Sequence, residues 1–159
     1  MANRQLFLKA ATTSEYVSQI VERQLEPVGI PAYLLAVLTH VRDHAPVTPS
    51  KISELSGIPM TTLRDNIQRL VDRRLIRRTR NPHDGRSYLL APTARGLAVT
   101  EAGGEALLDA YVALERLLPR ALLEFEHTLD ELNDVLREVL ALDAESDARA
   151  SRRGGVARR

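Results

Sequence analysis

The sequence predicts a mainly α fold with one small β-hairpin wing: a winged helix-turn-helix carrying dimerisation helices at its N- and C-terminal ends. Three observations predict it. Between Val47 and Ala91 two short helical patterns with a tight connection are followed by two strand-like runs closed by a Pro/Asp/Gly turn. Apolar residues recur at helical spacing through most of the remaining chain. Arginines gather on the second short helix and the hairpin.

From the N-terminus, residues 5–26 read as a helix, with Ala10, Val17, Ile20, Val21 and Leu25 as an apolar stripe and Leu6, Phe7 and Leu8 near its start. Pro27 and Gly29 end it. Pro31 opens a second helix with Leu34, Leu35, Val37, Leu38 and Val41 inside. Thr48 is a good N-cap for the third, with Pro49 at the first helical position, where a missing N–H costs nothing. Ile52 and Leu55 give that helix its buried face, and Gly57 suits a left-handed residue just past its end. Pro59 opens the fourth helix, which should reach Arg73 or Arg74.

In the fourth helix Met60, Leu63, Ile67 and Leu70 form the apolar face, which leaves Thr61, Asp65, Gln68, Arg69 and Asp72 opposite, with Thr62 and Arg64 on the flanks. The N-terminal part of such a helix meets base edges in a major groove. Thr61, Thr62, Arg64, Asp65 and Gln68 are therefore the candidates for base readout. Arg69 lies one turn beyond Asp65, so Asp65 either pairs with Arg69 or accepts a hydrogen bond from a cytosine amino group.

Leu75 to Arg80 and Arg86 to Ala91 read as strands around Asn81-Pro82-His83-Asp84-Gly85, a strong turn signal. Arg77, Arg78, Arg80 and Arg86 cluster there, and guanidinium groups on a wing tip suit a narrow, electronegative minor groove. After the hairpin, residues 94–118 predict a long helix with Leu107, Tyr111, Leu114 and Leu118 on one side. The Gly103-Gly104 pair would kink it or admit a close neighbour. In the last helix Leu122, Phe125, Leu129, Leu132, Leu136 and Val139 alternate steps of three and four, a heptad seam suited to a partner chain. Residues 143–159 lack apolar periodicity and read as a disordered tail.

Net charge is only +1, but its distribution is uneven. The span from Arg64 to Arg95 holds nine arginines against Asp65, Asp72 and Asp84 alone. Such clustering is the electrostatic footprint of a nucleic-acid binder. Since only Lys9 and Lys51 are lysines, the placement of the arginines, rather than their abundance, carries this inference. There is no cysteine, which excludes disulfides, zinc-thiolate sites and thiol redox sensing. No Ser/His/Asp set, paired catalytic carboxylates or phosphate-binding glycine loop is visible, so enzymatic activity is not expected. His40 and His44 stand one turn apart but without a cysteine to assist; no metal or other cofactor is expected. The N-terminus lacks a secretory pattern and no apolar run is long enough for a membrane span, which points to a cytoplasmic protein.

The run LSGIPMTTLRDNIQRLVDRRLIRR, followed by DGRSYLL and flanked by helical segments, resembles the MarR (multiple antibiotic resistance regulator) family of bacterial transcription factors. The resemblance spans about Leu6 to Leu142, and its more specific part is the wing, where the family's Asp and Arg signature falls on Asp84 and Arg86. It implies one domain over 1–142: the winged helix-turn-helix at 30–92, with 5–26 and 94–142 interdigitating across a dimer axis. Two departures stand out. Arg74 occupies a position where the family has Gly, so the helix ends differently or Arg74 accepts a strained backbone. Pro59 replaces a Ser at the start of the recognition helix. The helix after the wing starts at either Thr93 or Thr100.

The function read from this is a sequence-specific regulator of transcription, a ligand-responsive dimeric repressor on double-stranded operator DNA, with Arg69, Arg78, Arg80, Asp84 and Arg86 joining the base-reading residues. The resemblance implies a small-molecule effector between the dimerisation helices and the winged part, where Tyr16, Tyr33, His40, His44 and Tyr111 are the first residues to consider. The competing reading is a winged-helix protein-interaction module without DNA binding.

Overall fold

The computed structural model describes residues 5–118 and 122–156. The elements run α1 (Gln5–Leu25), a 3-10 turn (Glu26–Val28), α2 (Ala32–His44), α3 (Pro49–Ser56), α4 (Met60–Asp72), β1 (Ile76–Arg80), β2 (Tyr88–Pro92), α5 (Ala94–Leu117) and α6 (Leu122–Val156). The chain divides into two compact units, Met1–Ala113 and Leu114–Arg159.

In the first unit, α2, α3, α4 and the hairpin enclose one core. Leu38 and Val41 of α2, Ile52 of α3, Leu63, Ile67 and Leu70 of α4, and Leu90 of β2 are fully buried, joined by Leu75 and Ile76 at the root of β1. At about 1.5–3 kcal/mol per fully buried aliphatic side chain, this cluster is the dominant favourable term holding the helix-turn-helix to the wing. The local signals explain the boundaries. Thr48 Oγ1 accepts from the Lys51 N–H at 3.3 Å and Pro49 follows at the first position of α3. Gly57 ends α3 at φ 69°, its N–H donating to the Ser53 carbonyl. Ser53 Oγ then donates to the Ile58 carbonyl at 2.6 Å, fixing the turn between α3 and α4. Pro59 precedes α4 with no side-chain cap, as its ring requires.

Arg74 does adopt the left-handed conformation, φ 57°. It ends α4 as glycine usually would: the Leu75 N–H reaches back to the Leu70 carbonyl at 2.9 Å and the Arg74 N–H to Val71 at 2.8 Å. The next helix begins at Thr93, whose Oγ1 accepts from the Gly96 N–H at 3.0 Å while donating to the Arg74 carbonyl at 2.8 Å. Thr100 instead lies buried inside α5, its hydroxyl donating to the Gly96 carbonyl. One threonine thus caps α5 and ties it to the end of α4.

β1 and β2 form a two-stranded antiparallel sheet in which Ile76 faces Pro92, Arg78 faces Leu90 and Arg80 faces Tyr88. The second strand begins at Tyr88 rather than Arg86, because Arg86 and Ser87 belong to the turn: the Ser87 N–H donates to the Asp84 carbonyl at 3.1 Å. Val47 pairs with Leu90 in an isolated bridge, which anchors the hairpin root to the segment before α3. The helix is unbroken at Gly103-Gly104. α5 runs through the pair, with Gly103 buried against Leu35 of α2.

In the second unit, α6 continues to Val156, past Leu142, where the apolar seam ends. Residues 143–150 contain Ala, Glu and Arg, which favour helix without needing an apolar face, a preference that periodicity alone does not register. Phe125, Leu129, Leu136 and Val139 are solvent-exposed within the chain and Leu132 is half-buried; the side chain of Leu122 lies outside the described residues. Among the described residues no helix is long and apolar enough to cross a membrane.

Candidate nucleic-acid interface

The burial of Leu63, Ile67 and Leu70 turns the opposite face of α4 outward. Thr61, Thr62, Arg64, Asp65, Gln68 and Arg69 are all exposed. Their hydrogen bonds divide them. Thr61, Thr62, Arg64 and Asp65, over the first turns of α4, make no side-chain hydrogen bond or ion pair to another described residue. Gln68 and Arg69, further along, are engaged. Gln68 Nε2 donates to Asp72 Oδ1 at 2.7 Å, and its Oε1 accepts from Arg78 Nη2 at 3.0 Å. Arg69 Nη1 donates to the Tyr33 hydroxyl at 3.0 Å.

Arg69 therefore turns towards α2, not towards Asp65, and the expected Asp65–Arg69 ion pair does not form. A phenol on a different helix, 36 positions away in sequence, takes the guanidinium instead. Arg73 is held the same way, donating to the Gly29 carbonyl at 3.1 Å. The two arginines at the C-terminal end of α4 thus fasten it to α2 and to the turn before α2, while its N-terminal end stays open.

On the wing, Arg78 lies with its guanidinium carbon 5.0 Å from the Tyr88 ring centroid, within cation–π range. Asn81 is buried at the turn, donating to Ser87 Oγ at 2.8 Å and accepting from the His83 N–H at 3.1 Å. Asp84 accepts from the Arg86 backbone N–H at 3.0 Å. That bond, followed by the Ser87 hydroxyl, holds the Asp84 carboxyl below its ordinary pKa. Asp84 thus shapes the turn through the backbone and makes no ion pair with the Arg86 guanidinium. Arg77, Arg80 and Arg86 are exposed and form no ion pair among the described residues. Two edges therefore carry exposed polar or cationic groups: the start of α4 and the wing.

With this geometry in place, similarity to known proteins becomes informative. Residues 32–87 match the sequence profile of the MarR family, a span running from the start of α2 to the wing turn. Over this segment the chain is similar to the MarR family. No curated protein matches the chain in sequence. Among solved structures, the fold resembles a mutant of MarR from E. coli complexed with operator DNA, with a TM-score of 0.75 at 23% identity over 81% of this chain and 94% of that one. It also resembles the transcriptional repressor CouR bound to a DNA duplex, with a TM-score of 0.73 at 22% identity over 82% of this chain and 92% of that one. A MarR-family transcriptional regulator from Rhodococcus sp. RHA1 gives 0.67 at 18% identity over 87% and 96%. At these identities the likeness establishes the MarR fold.

The five residues considered for an effector pocket are spread over the MarR fold. Tyr16 lines a cleft on α1 with Gln19, Ile20, Arg23 and Gln24. Tyr33 is occupied with Arg69, and Tyr111 is exposed on α5. His40 and His44 do meet, with ring centroids 6.1 Å apart and His44 Nδ1 3.0 Å from the His40 carbonyl. Burial first, then His44, lowers the His40 pKa, against a smaller opposing effect of Asp43. Among the described residues no group of three or more His, Cys, Asp or Glu side chains is arranged to hold a metal ion.

Sequence reasoning missed Tyr33 as an anchor of the recognition helix, Tyr88 as a platform for Arg78, and Asn81 inside the turn. The first joins residues far apart in the chain and leaves no periodic trace. The Asn-Pro pair did mark Asn81 as a turn residue, though not as a buried one.

Proposed function

We propose that the protein is a sequence-specific DNA-binding regulator of transcription that acts as a homodimer on double-stranded operator DNA in the cytoplasm. The observation that carries this reading is the pair of unpartnered polar edges, one on the start of α4 and one on the wing, borne by a segment similar to the MarR family. Thr61, Thr62, Arg64 and Asp65 enter the major groove, and Arg77, Arg80 and Arg86 contact phosphates or the adjacent minor groove. Relatives of the same fold are solved as a MarR mutant on operator DNA and as the repressor CouR on a duplex, which supports repression as the mode of action.

Dimerisation is supported by exposed apolar surface that a single chain leaves uncovered: Phe7, Leu8 and Val17 on α1, and Phe125, Leu129 and Val139 on α6. Residues 1–142 act as one MarR-like domain with the winged part at its centre, and a small-molecule effector alters the separation of the two recognition helices.

Titrating the protein with duplex DNA of mixed sequence at several salt concentrations tests the reading. Binding that weakens steeply with salt is expected, because arginines displace condensed counterions from phosphates. A folded protein that binds no duplex DNA at low salt would overturn the reading and favour the protein-interaction module in its place.

A further inference from the structure

A two-stranded hairpin is marginal by itself, and this one is rooted in the core at Leu75, Ile76 and Leu90, with Tyr88 packed against the same cluster. Further out, β1 is hydrogen-bonded back to α4 by the side chain of Arg78. Arg78, directly across from Leu90, reaches over the Tyr88 ring and donates to Gln68 Oε1 at 3.0 Å. Gln68 is itself pinned one helical turn onward, its Nε2 donating to Asp72 Oδ1 at 2.7 Å. The result is a continuous chain from Asp72 through Gln68 and Arg78 to Tyr88.

This chain bears on what Gln68 can do. Bidentate recognition of adenine takes the oxygen and the nitrogen of one amide together. Here both ends already have intramolecular partners, so a base contact would have to share each end with, or displace, a protein group that already orients the amide. The Arg78 guanidinium likewise has an intramolecular hydrogen-bond partner and lies over a ring, unlike those of Arg77, Arg80 and Arg86, which have no hydrogen bond or ion pair among the described residues.

We propose that Gln68, Arg78 and Tyr88 form a brace that fixes the wing against the recognition helix, with Gln68 and Arg78 as positioning residues and not as readers of bases. The brace sets the separation between the start of α4 and the wing tip before DNA arrives, so less ordering remains to be done on binding. The part of this inference that concerns DNA rests on the function proposed above; the part that concerns the free protein does not.

The test is a double-mutant cycle, Gln68→Ala and Arg78→Ala singly and together, with Gln68→Glu as the conservative variant. It is read first by amide hydrogen exchange in the DNA-free protein. Each single variant should speed exchange of the wing amides about three- to tenfold, the loss of one modest hydrogen bond. The double variant should be no faster than the worse single one, since both remove the same link. Gln68→Glu keeps an acceptor for Arg78 and should hold exchange near the wild-type rate. Unchanged wing exchange in both single variants, or fully additive effects, would overturn the brace. Arg78→Ala keeps the test decisive if Gln68→Ala perturbs α4, because Arg78 lies on the exposed strand.

The second reading uses a panel of duplexes that differ at one base pair each. Gln68→Ala should weaken binding to all of them by the same factor; lost discrimination at one base pair would make Gln68 a reader and overturn the proposal. If the wild-type protein binds no duplex, the function proposed above fails while the exchange cycle still decides the brace.

Discussion

At the wing tip the Arg86 backbone N–H is bound by Asp84, and its guanidinium forms no ion pair among the described residues. Arg86→Ala should therefore weaken DNA binding by about 1–3 kcal/mol with little change in melting temperature, and Arg86→Lys should restore only part, lacking the planar fork. Titration of each variant beside a melting curve checks this. Asp84 acts through the turn, and its lowered pKa gives that role a sign. A carboxylate held below its ordinary value stabilises the turn above that value, and the contribution is lost as pH falls through the lowered one. The Arg86 amide resonance should report the loss on acid titration, and Asp84→Asn, which keeps an acceptor oxygen, should remove the pH dependence. Side chains with local partners were legible from sequence: Thr48 and Gly57 at the ends of α3, and the Thr93 cap as one of two alternatives. Those with distant partners were not. Asp65 and Arg69 have good helical spacing for a pair, but spacing carries no knowledge of Tyr33.

Among elements, the close packing of α5 separates three glycines. A Cβ at Gly96 would lie 2.0 Å from the Leu75 carbonyl oxygen, where only backbone movement makes room. Gly96→Ala should be the worst of the three, costing about 3 kcal/mol or more, the upper part of the range for overpacking. At Gly103 the nearest atom is Leu35 Cδ2, 2.7 Å away, a side chain able to shift, so Gly103→Ala should cost less. Nothing lies within 4 Å of the Gly104 position, and Gly104→Ala should stabilise by about 0.5–1 kcal/mol through helix propensity alone. Arg74→Gly should also stabilise, by roughly 1 kcal/mol, since it relieves a left-handed arginine. Urea unfolding of the four variants gives all four signs. The glycine pair announced something unusual in α5, but whether it meant a kink or a close neighbour depended on where α2 passes.

For the molecule as a whole, the heptad seam was the plainest sequence pattern, and the exposure of Phe125, Leu129 and Val139 leaves it without cover within its own chain. Leu132→Asp combined with Leu136→Asp should give monomers or aggregates in sedimentation, because carboxylates would be placed in an apolar seam. The wild-type protein should sediment near twice its 17.7 kDa mass. Two winged helices related by a two-fold axis must read two half-sites of opposite orientation, which brings the DNA and dimer claims into one experiment: selection of bound sequences from random duplex DNA. The account predicts an enriched pseudo-palindrome with half-site centres about one helical turn apart, roughly 10 base pairs. Failure to enrich any sequence, or enrichment of a single unrepeated half-site, would contradict it.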